Sequence, residues 1–473
     1  MTAYQRQFLG MLIWTPLALA QSAPQHEAAL AQNAPERELA HDVLKELIEI
    51  NTTDSSGDNT RAAEAMAARF RSAGFAASDI HVLAPVARKG NVIVRLHGSS
   101  TTLKPILFLG HLDVVEARRD DWTFDPFKLV EQDGYIYGRG TQDMKTDDAL
   151  LVTTFIRLKQ EGFVPVRDIV LALTADEEGG EHNGVQWLLK EHRNLIDADY
   201  CINADAGGGQ IKNGKRLLMG VQAAEKTFAS FRLTVRNRGG HSSRPVKDNA
   251  IYELADGLAR LEKSDFPPRL NEVSRSFFER MAGISTGQLA ADFRGVARNP
   301  PDNASVERLS RESYYNAVLR TTCVPTLLKG GHAENALPQL AEAVVNCRMV
   351  PDDTAGTIKD TLISVLNDPK IVVTPVDEVS ASPFSPLRTD VLNAITAATD
   401  TIWPRVPVVP LMETGATDGK YLRLAGIPAY GVSALFIDVD DIRAHGKDER
   451  IGEQSFYDGV RFDYQLVKRL VGR

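Results

Sequence analysis

The sequence is poor in cysteine and has no block of one-signed charge. Only Cys201, Cys323 and Cys347 occur in 473 residues, with no C-x-x-C spacing. That excludes a zinc ribbon and a dithiol redox pair. An exported chain could form one disulfide from them, but their odd number and strand-like apolar surroundings favour buried structural thiols. No long lysine and arginine run appears, and the formal charge is −8. Nucleic acid and anionic membrane are therefore not expected as main partners. The chain also lacks a fixed-period repeat and any apolar run long enough for a stable membrane helix, so no membrane anchor is expected.

What is present begins at the N-terminus. "MTAYQRQFLGMLIWTPLALAQSAPQ" has one early positive residue, Arg6, an apolar stretch from Phe8, and Ala18-Leu19-Ala20. This is the layout of a secretory signal over residues 1–20, cleaved after Ala20. Residues 21–36, rich in Ala, Gln and Pro, read as a flexible leader. The mature chain is expected to be exported and soluble, which in a bacterium means periplasmic. Its length predicts more than one domain, and 43% apolar with 25% charged residues is the composition of a globular protein.

From about residue 37, helical and strand patterns alternate. "ELAHDVLKELIEI", "TRAAEAMAARFRSAGF" and "MKTDDALLVTTFIRLKQEG" have helical periodicity, whereas "NVIVRLHG", "PILFLGH", "DIVLALTAD" and "YCINAD" are short β-rich runs. This predicts an α/β catalytic domain with a mostly parallel central sheet flanked by helices. Near residue 220 the pattern becomes the alternation of a half-exposed strand, "FASFRLTVRNRGG". Residues 221–350 therefore read as an inserted, smaller α+β domain, and within it the Pro-, Arg- and Asn-rich residues 265–312 look like a further insertion. The first domain, residues 37–220, is expected to resume over 351–473, starting with helix "TAGTIKDTLISVLND".

Polar residues that break this apolar pattern lie where strands end, the place ligands occupy in such sheets. In "LFLGHLDVV", His111 and Asp113 are two apart and so share a face. "YGRGTQDMK" sets Asp143 between a Gly-rich turn and a helix. "LTADEEGGE" sets Glu177 and Glu178 just past a strand, "INADAGGG" sets Asp205 at another strand end, and "IRAHGKDE" sets His445 in a polar loop. Mixed imidazole and carboxylate donors suit zinc, cobalt or manganese.

With "GHLDVV", "GRGTQDMK", "TADEEGG", "NADAG", "RGGHSSRP" and "AHGKDE" in this order, the chain resembles the dinuclear zinc exopeptidases and amidohydrolases over residues 38–470. That family includes glutamate carboxypeptidase, aminoacylase, acetylornithine deacetylase and succinyl-diaminopimelate desuccinylase. The resemblance implies that Asp143 bridges two divalent ions, zinc first with cobalt or manganese as alternatives. It gives His111 and Asp205 to one ion, Glu178 and His445 to the other. Asp113 would hold the His111 ring, and Glu177 would be the general base of amide hydrolysis. It also implies a cis peptide after the bridging aspartate, at Asp143–Met144.

In the inserted domain, His241 matches a histidine that reaches a dimer partner's site and stabilises the oxyanion. Arg348 matches the arginine that takes the substrate carboxylate, for which a planar guanidinium is suited. Asn335 and Gly415 match substrate-contact positions. The implied function is a metal-dependent exopeptidase, of carboxypeptidase or dipeptidase type, acting on short peptides. The alternatives are an N-acyl-amino-acid deacylase with the same site and, from another class, an inactive peptide-binding paralogue. The inserted domain would serve as lid and as the contact of a homodimer.

Overall fold

The computed structural model describes residues 34–376, 379 and 382–472. The expected export signal and residues 21–33 of the leader lie outside the described residues. Residues 34–36, also read as leader, already belong to the first helix, α1 (Ala34–Glu49).

The chain continues through α2 (Asn59–Ser72), β1 (Ile80–Leu83), β2 (Asn91–Leu96), β3 (Ile106–His111), β4 (Val130–Gln132), β5 (Tyr135–Tyr137), α3 (Lys145–Gln160) and β6 (Ile169–Thr174). Then come α4 (Gly184–Glu191), α5 (Arg193–Ile196), β7 (Tyr200–Asn203), β8 (Gly208–Lys212) and the long β9 (Lys215–Glu225). After an excursion, described below, it returns with α12 (Thr389–Ile402), β16 (Val408–Glu413), α13 (Gly419–Leu424), β17 (Ala429–Gly431), β18 (Phe436–Asp438), β19 (Arg450–Gly452) and α14 (Glu453–Leu470).

Ten of these strands form one sheet in the order β1-β2-β6-β3-β7-β17-β9-β8-β18, with β16 beside β9. Its centre, β6, β3, β7 and β17, is parallel. Every residue of β3 and β6 is buried, as expected of strands covered by helices on both faces. On one face α3 is buried almost all round, and Phe155 joins Phe108, Leu44 and Phe456 in the main core. A mostly parallel sheet flanked by helices is what the alternating pattern predicts.

The excursion contains β10 (Thr227–Arg236), β11 (Gly240–His241), α6 (Ala250–Glu262), α7 (Glu272–Ile284), α8 (Gly287–Ala297), α9 (Asn303–Leu309) and α10 (Ser313–Leu319). It goes on with β12 (Thr322–Gly330), β13 (Ala336–Leu337), β14 (Leu340–Met349), α11 (Ala355–Leu366) and β15 (Val372–Pro375). An antiparallel sheet, β12-β14-β10-β15, packs Phe231, Leu233 and Val345 against Leu254 of α6 and Leu362 of α11.

Two boundaries differ from the sequence reading of 221–350. The main sheet keeps β9 through Glu225, while the smaller sheet extends past residue 350 to take α11 and β15. Helix α11 carries an amphipathic pattern that fits either unit, and only its partners decide which. The segment 265–312 is no appendage of the lid. Its helices place Val273, Phe277, Phe278 and Phe293 in the main core. Helix α7 starts at a reciprocal cap: Asn271 Oδ1 accepts from Ser274 N at 2.9 Å, and Ser274 Oγ accepts from Asn271 N at 3.0 Å.

The expectation of three thiols is corrected. Cys323 and Cys347 face each other across β12 and β14 and form a disulfide, leaving Cys201 as a buried free thiol. The register that makes them opposite is a property of the sheet and is not written in their spacing of 24 residues.

Candidate metal centre

The apolar run of β3 ends on His111, which is 2% exposed. Its Nδ1 lies 3.0 Å from the main-chain carbonyl of Asp113. A carbonyl can only accept, so Nδ1 carries the proton. Nε2 then faces Asp143 Oδ1 at 3.2 Å and Asp205 Oδ1 at 3.4 Å. A neutral ring turns a lone pair toward these two oxygens, an arrangement that a second proton or a cation reconciles. Against the cost of burial, the charges of Asp205, Asp143 and Asp113 push the His111 imidazole well up.

The other oxygen of Asp143 belongs to a second group. Oδ2 lies 3.0 Å from Nε2 of His445, which is 3.0 Å from Glu178 Oε1. His111, Asp143 and Asp205 thus offer donor atoms within 4.8 Å of one another, and so do Asp143, Glu178 and His445. Each set joins one imidazole to two carboxylates, with Asp143 common to both. That donor chemistry fits a pair of divalent cations. The peptide bond Asp143–Met144 is cis.

Glu177 stands next to this pair and is not part of either set. Burial, then the charges of Asp205 and other nearby carboxylates, push its carboxyl up to about 10. The same causes, burial first, raise Asp205 to about 6. Hydrogen bonds to Asp143 and Glu178 raise His445 to about 10. Asp143 itself is held below the usual carboxylate range by His111 and His445, in spite of burial. Positive charge placed among these groups would reverse the field that Glu177 feels.

Asp113 differs from its expected role. Its carboxylate is 3.7 Å from His111 Nδ1, farther than its own carbonyl. The carboxylate oxygens instead accept from the backbone amides of Glu177 and Glu178, at 3.2 and 3.0 Å. Asp113 therefore orients the ring through its main chain and the glutamate turn through its side chain. That turn begins at Asp176, whose backbone is left-handed (φ 61°) and whose carboxylate is ion-paired with Lys89.

Three residues that sequence reasoning missed bind the ligand loops together. Glu449 is fully buried. Its Oε1 accepts from the amides of Gln142 and Asp143, at 2.6 and 3.0 Å, and its Oε2 from Gly140 N at 3.1 Å and Arg139 at 2.6 Å. Arg139 also donates to Gly446 O at 2.9 Å, beside His445. Gln142 Oε1 accepts from the amides of Arg443 and Ala444 at 2.7 and 2.9 Å. Arg139 and Glu449 sit inside the motifs quoted above, but apart from each other their partners are mostly backbone groups, which leave no mark on a sequence.

The substrate-side candidates lie elsewhere. His241 and Asn335 are neighbours on the small β11-β13 ribbon, where Ser242 N donates to Asn335 O at 3.0 Å. His241 is exposed, and its Nδ1 accepts from Ser243 N at 3.1 Å. Arg348 is half-buried on β14, its guanidinium 5.5 Å from the Phe228 ring. Gly415 is exposed in the loop after β16. None of the four belongs to either donor group.

A helix-flanked α/β sheet whose strand ends carry two donor triads on one shared aspartate is the frame of the two-metal peptidases and amidohydrolases. Residues 107–469 match the model of peptidase family M20/M25/M40, and the chain belongs to that family. It is 28% identical over 382 residues to the Xenopus tropicalis protein named N-fatty-acyl-amino acid synthase/hydrolase PM20D1, covering 80% of this chain and 74% of that protein. It is likewise 28% identical over 386 residues to the Dictyostelium discoideum protein named probable carboxypeptidase S-like 2, at 80% and 74% coverage. In fold it is similar to the M20 family metallo-carboxypeptidase Sso-CP2 of Sulfolobus solfataricus, with a TM-score of 0.66, 17% identity, and 91% of this chain and 99% of that one covered.

Proposed function

We propose that this protein hydrolyses the amide bond joining a peptidyl or acyl group to a terminal amino acid, as an exopeptidase or N-acyl-amino-acid hydrolase. The observation that carries the reading is the pair of donor triads on Asp143 with Glu177 beside them. Relatives named as carboxypeptidase-like and as N-acyl-amino acid hydrolases support both substrate classes.

His111 and Asp205 would hold one ion, Glu178 and His445 the other, and Asp143 both. Zinc is the proposed metal, with cobalt or manganese as alternatives. Bound ions supply the charge that polarises the scissile carbonyl and lowers the pKa of water at the site. Glu177 takes a proton from the attacking water and returns it to the leaving nitrogen. Asp113 keeps Glu177 and Glu178 pointing apart by fixing the amides of their turn. Arg348 receives the substrate's carboxylate, and Asn335 and Gly415 contact its backbone. His241 steadies the developing oxyanion, reaching in from a partner subunit.

The proposed dimer uses the lid's edge strand β12, where Val324, Leu327 and Leu328 are 56–68% exposed. Export through residues 1–20 is part of the same reading, and the Cys323–Cys347 disulfide supports it, since such bonds persist in oxidising compartments.

The test is Glu177→Ala on metal-loaded protein. Hydrolysis of a dipeptide and N-acyl-amino-acid panel is expected to fall by about 10²–10⁴, with two ions per chain retained by elemental analysis. Unchanged turnover would overturn the assignment, and no turnover by either protein would favour a silent binding paralogue.

A further inference from the structure

The peptide unit between Asp176 and Glu177 sets the direction in which Glu177 leaves the backbone, because its atoms turn as one plane. Both sides of that plane are gripped. Its N–H, on Glu177, donates to Asp113 Oδ1 at 3.2 Å. Its carbonyl, on Asp176, accepts from Asn183 Nδ2 at 3.1 Å. The residue before the plane, Asp176, is left-handed (φ 61°), a conformation that a non-glycine residue keeps only when its surroundings fix it.

Every polar atom of the Asn183 amide is used. Its Oδ1 accepts from Gln186 N at 2.9 Å and caps α4. Of the two Nδ2 hydrogens, one goes to the Asp176 carbonyl and the other to Asp418 Oδ1, at 2.6 Å. The cap holds the Asn183 oxygen. Asp418 holds the nitrogen, and with it the hydrogen aimed at Asp176. Asp418 lies 235 positions further along the chain and is 3% exposed. It ends the loop after β16 that also carries Gly415. Its neighbour Thr417 ties that loop to β9, with N and Oγ1 donating to Glu225 Oε2 at 3.3 and 3.0 Å. Neither Asn183 nor Asp418 belongs to either donor triad.

We propose that Asp418, acting through Asn183, is a positioning residue for Glu177: the two clamp the carbonyl side of the Asp176–Glu177 peptide and so aim the base. This rests on the hydrolase reading above and deepens it.

The experiment compares the metal-loaded parent with Asn183→Ser, Asp418→Ala, Asp418→Asn and the double variant Asn183→Ser with Asp418→Ala, on the best substrate of the dipeptide and N-acyl-amino-acid panel. Serine keeps a helix cap and loses both Nδ2 donations. In Asn183→Ser and Asp418→Ala, kcat is expected to fall about 10–100-fold. KM is expected to stay unchanged, as for a contact that counts in the transition state alone. The double variant is expected to be no worse than the poorer single one, since both remove the same contact. Asp418→Asn keeps an acceptor for Asn183 and is expected to recover most of the loss. Unchanged kcat in the single variants, with or without a lower melting temperature, overturns the proposal, and so do losses that multiply in the double variant. Asp418→Asn as poor as Asp418→Ala also overturns it, because the Asp418 charge, which Glu177 feels, would then be the working feature. Each of these outcomes leaves the hydrolase reading standing.

A parent protein inert to every substrate sinks the hydrolase reading instead. The turn is then read by calorimetric titration of zinc into metal-stripped protein. Glu178 sits on the same turn, so Asn183→Ser is expected to weaken one of two binding steps by about tenfold or more and to leave the other as it is. Two unchanged steps overturn the proposal.

Discussion

At the scale of single residues, the centre depends on side chains that never touch an ion. Glu449 takes four donors at once, three backbone amides and the Arg139 guanidinium, and it does so fully buried. Removing one member of a buried ion pair costs about 3–5 kcal/mol, because the other is left uncompensated. Glu449→Gln keeps the shape and loses the charge. It is expected to lower the unfolding free energy by about 3 kcal/mol and to weaken metal retention, read by thermal melts and by dialysis followed by elemental analysis. Unchanged metal retention would make Glu449 a prop for stability alone. The donors His111, Asp143, Glu178 and Asp205 are legible in the sequence because each is a polar residue set at the end of an apolar strand or beside a Gly-rich turn, whereas His445, in a polar loop, is legible only through the ordered motifs. Glu449 is illegible for the opposite reason: it recognises peptide amides, which every residue has. The carboxylate of Asp113 is hard to read from sequence for the same reason, since its hydrogen-bond donors are the amides of Glu177 and Glu178.

At the scale of elements, the junction of β9 and β10 joins the two units. Lys226 sits there, fully buried, with Nζ donating to Ala317 O at 2.9 Å and to Arg320 O at 2.8 Å, at the end of α10. Burial pushes its amine from the ordinary 10.5 down to about 7. Between those values the unfolded chain binds the extra proton, so stability rises with pH through that window. The penalty is full below about pH 7 and relieved toward pH 10. Lys226→Met is expected to flatten this rise, measured as chemical unfolding at pH 7 and pH 9.5. A slope unchanged by the substitution would place the titration elsewhere. The insertion that Lys226 grips explains part of what sequence reading could not resolve. Its apolar residues, Val273, Phe277 and Phe278, have helical spacing, but Arg, Pro and Asn surround them, and only the main core reveals where they point. The pattern of helix α11 leaves its unit open for the same reason: amphipathy gives a face and not a partner, and Ile358, Leu362 and Leu366 turn that face to the smaller sheet. The long runs of β3 and β6 carried no such ambiguity, because strands buried on both faces are apolar throughout.

At the scale of the whole molecule, the smaller sheet presents an unpaired apolar edge, with Leu327 and Leu328 outward on β12. Uncovered edges of this kind template association. If two copies pair there, Leu327→Lys combined with Leu328→Glu is expected to convert a dimer to a monomer in sedimentation, without lowering the melting temperature of the main body. A monomeric parent protein would remove the partner's His241 from the mechanism.

The central sheet has a further consequence for how the molecule comes into being. β17 lies between β7 and β9, although more than two hundred residues of synthesis separate it from both. His445 and Glu449 follow later still. A chain still attached to the ribosome at Ala429 has the middle of its sheet open and one triad missing its imidazole. The second donor triad is therefore complete only near the end of synthesis, and a translation product cut short between Ala429 and His445 carries most of the fold's mass with that triad lacking its imidazole.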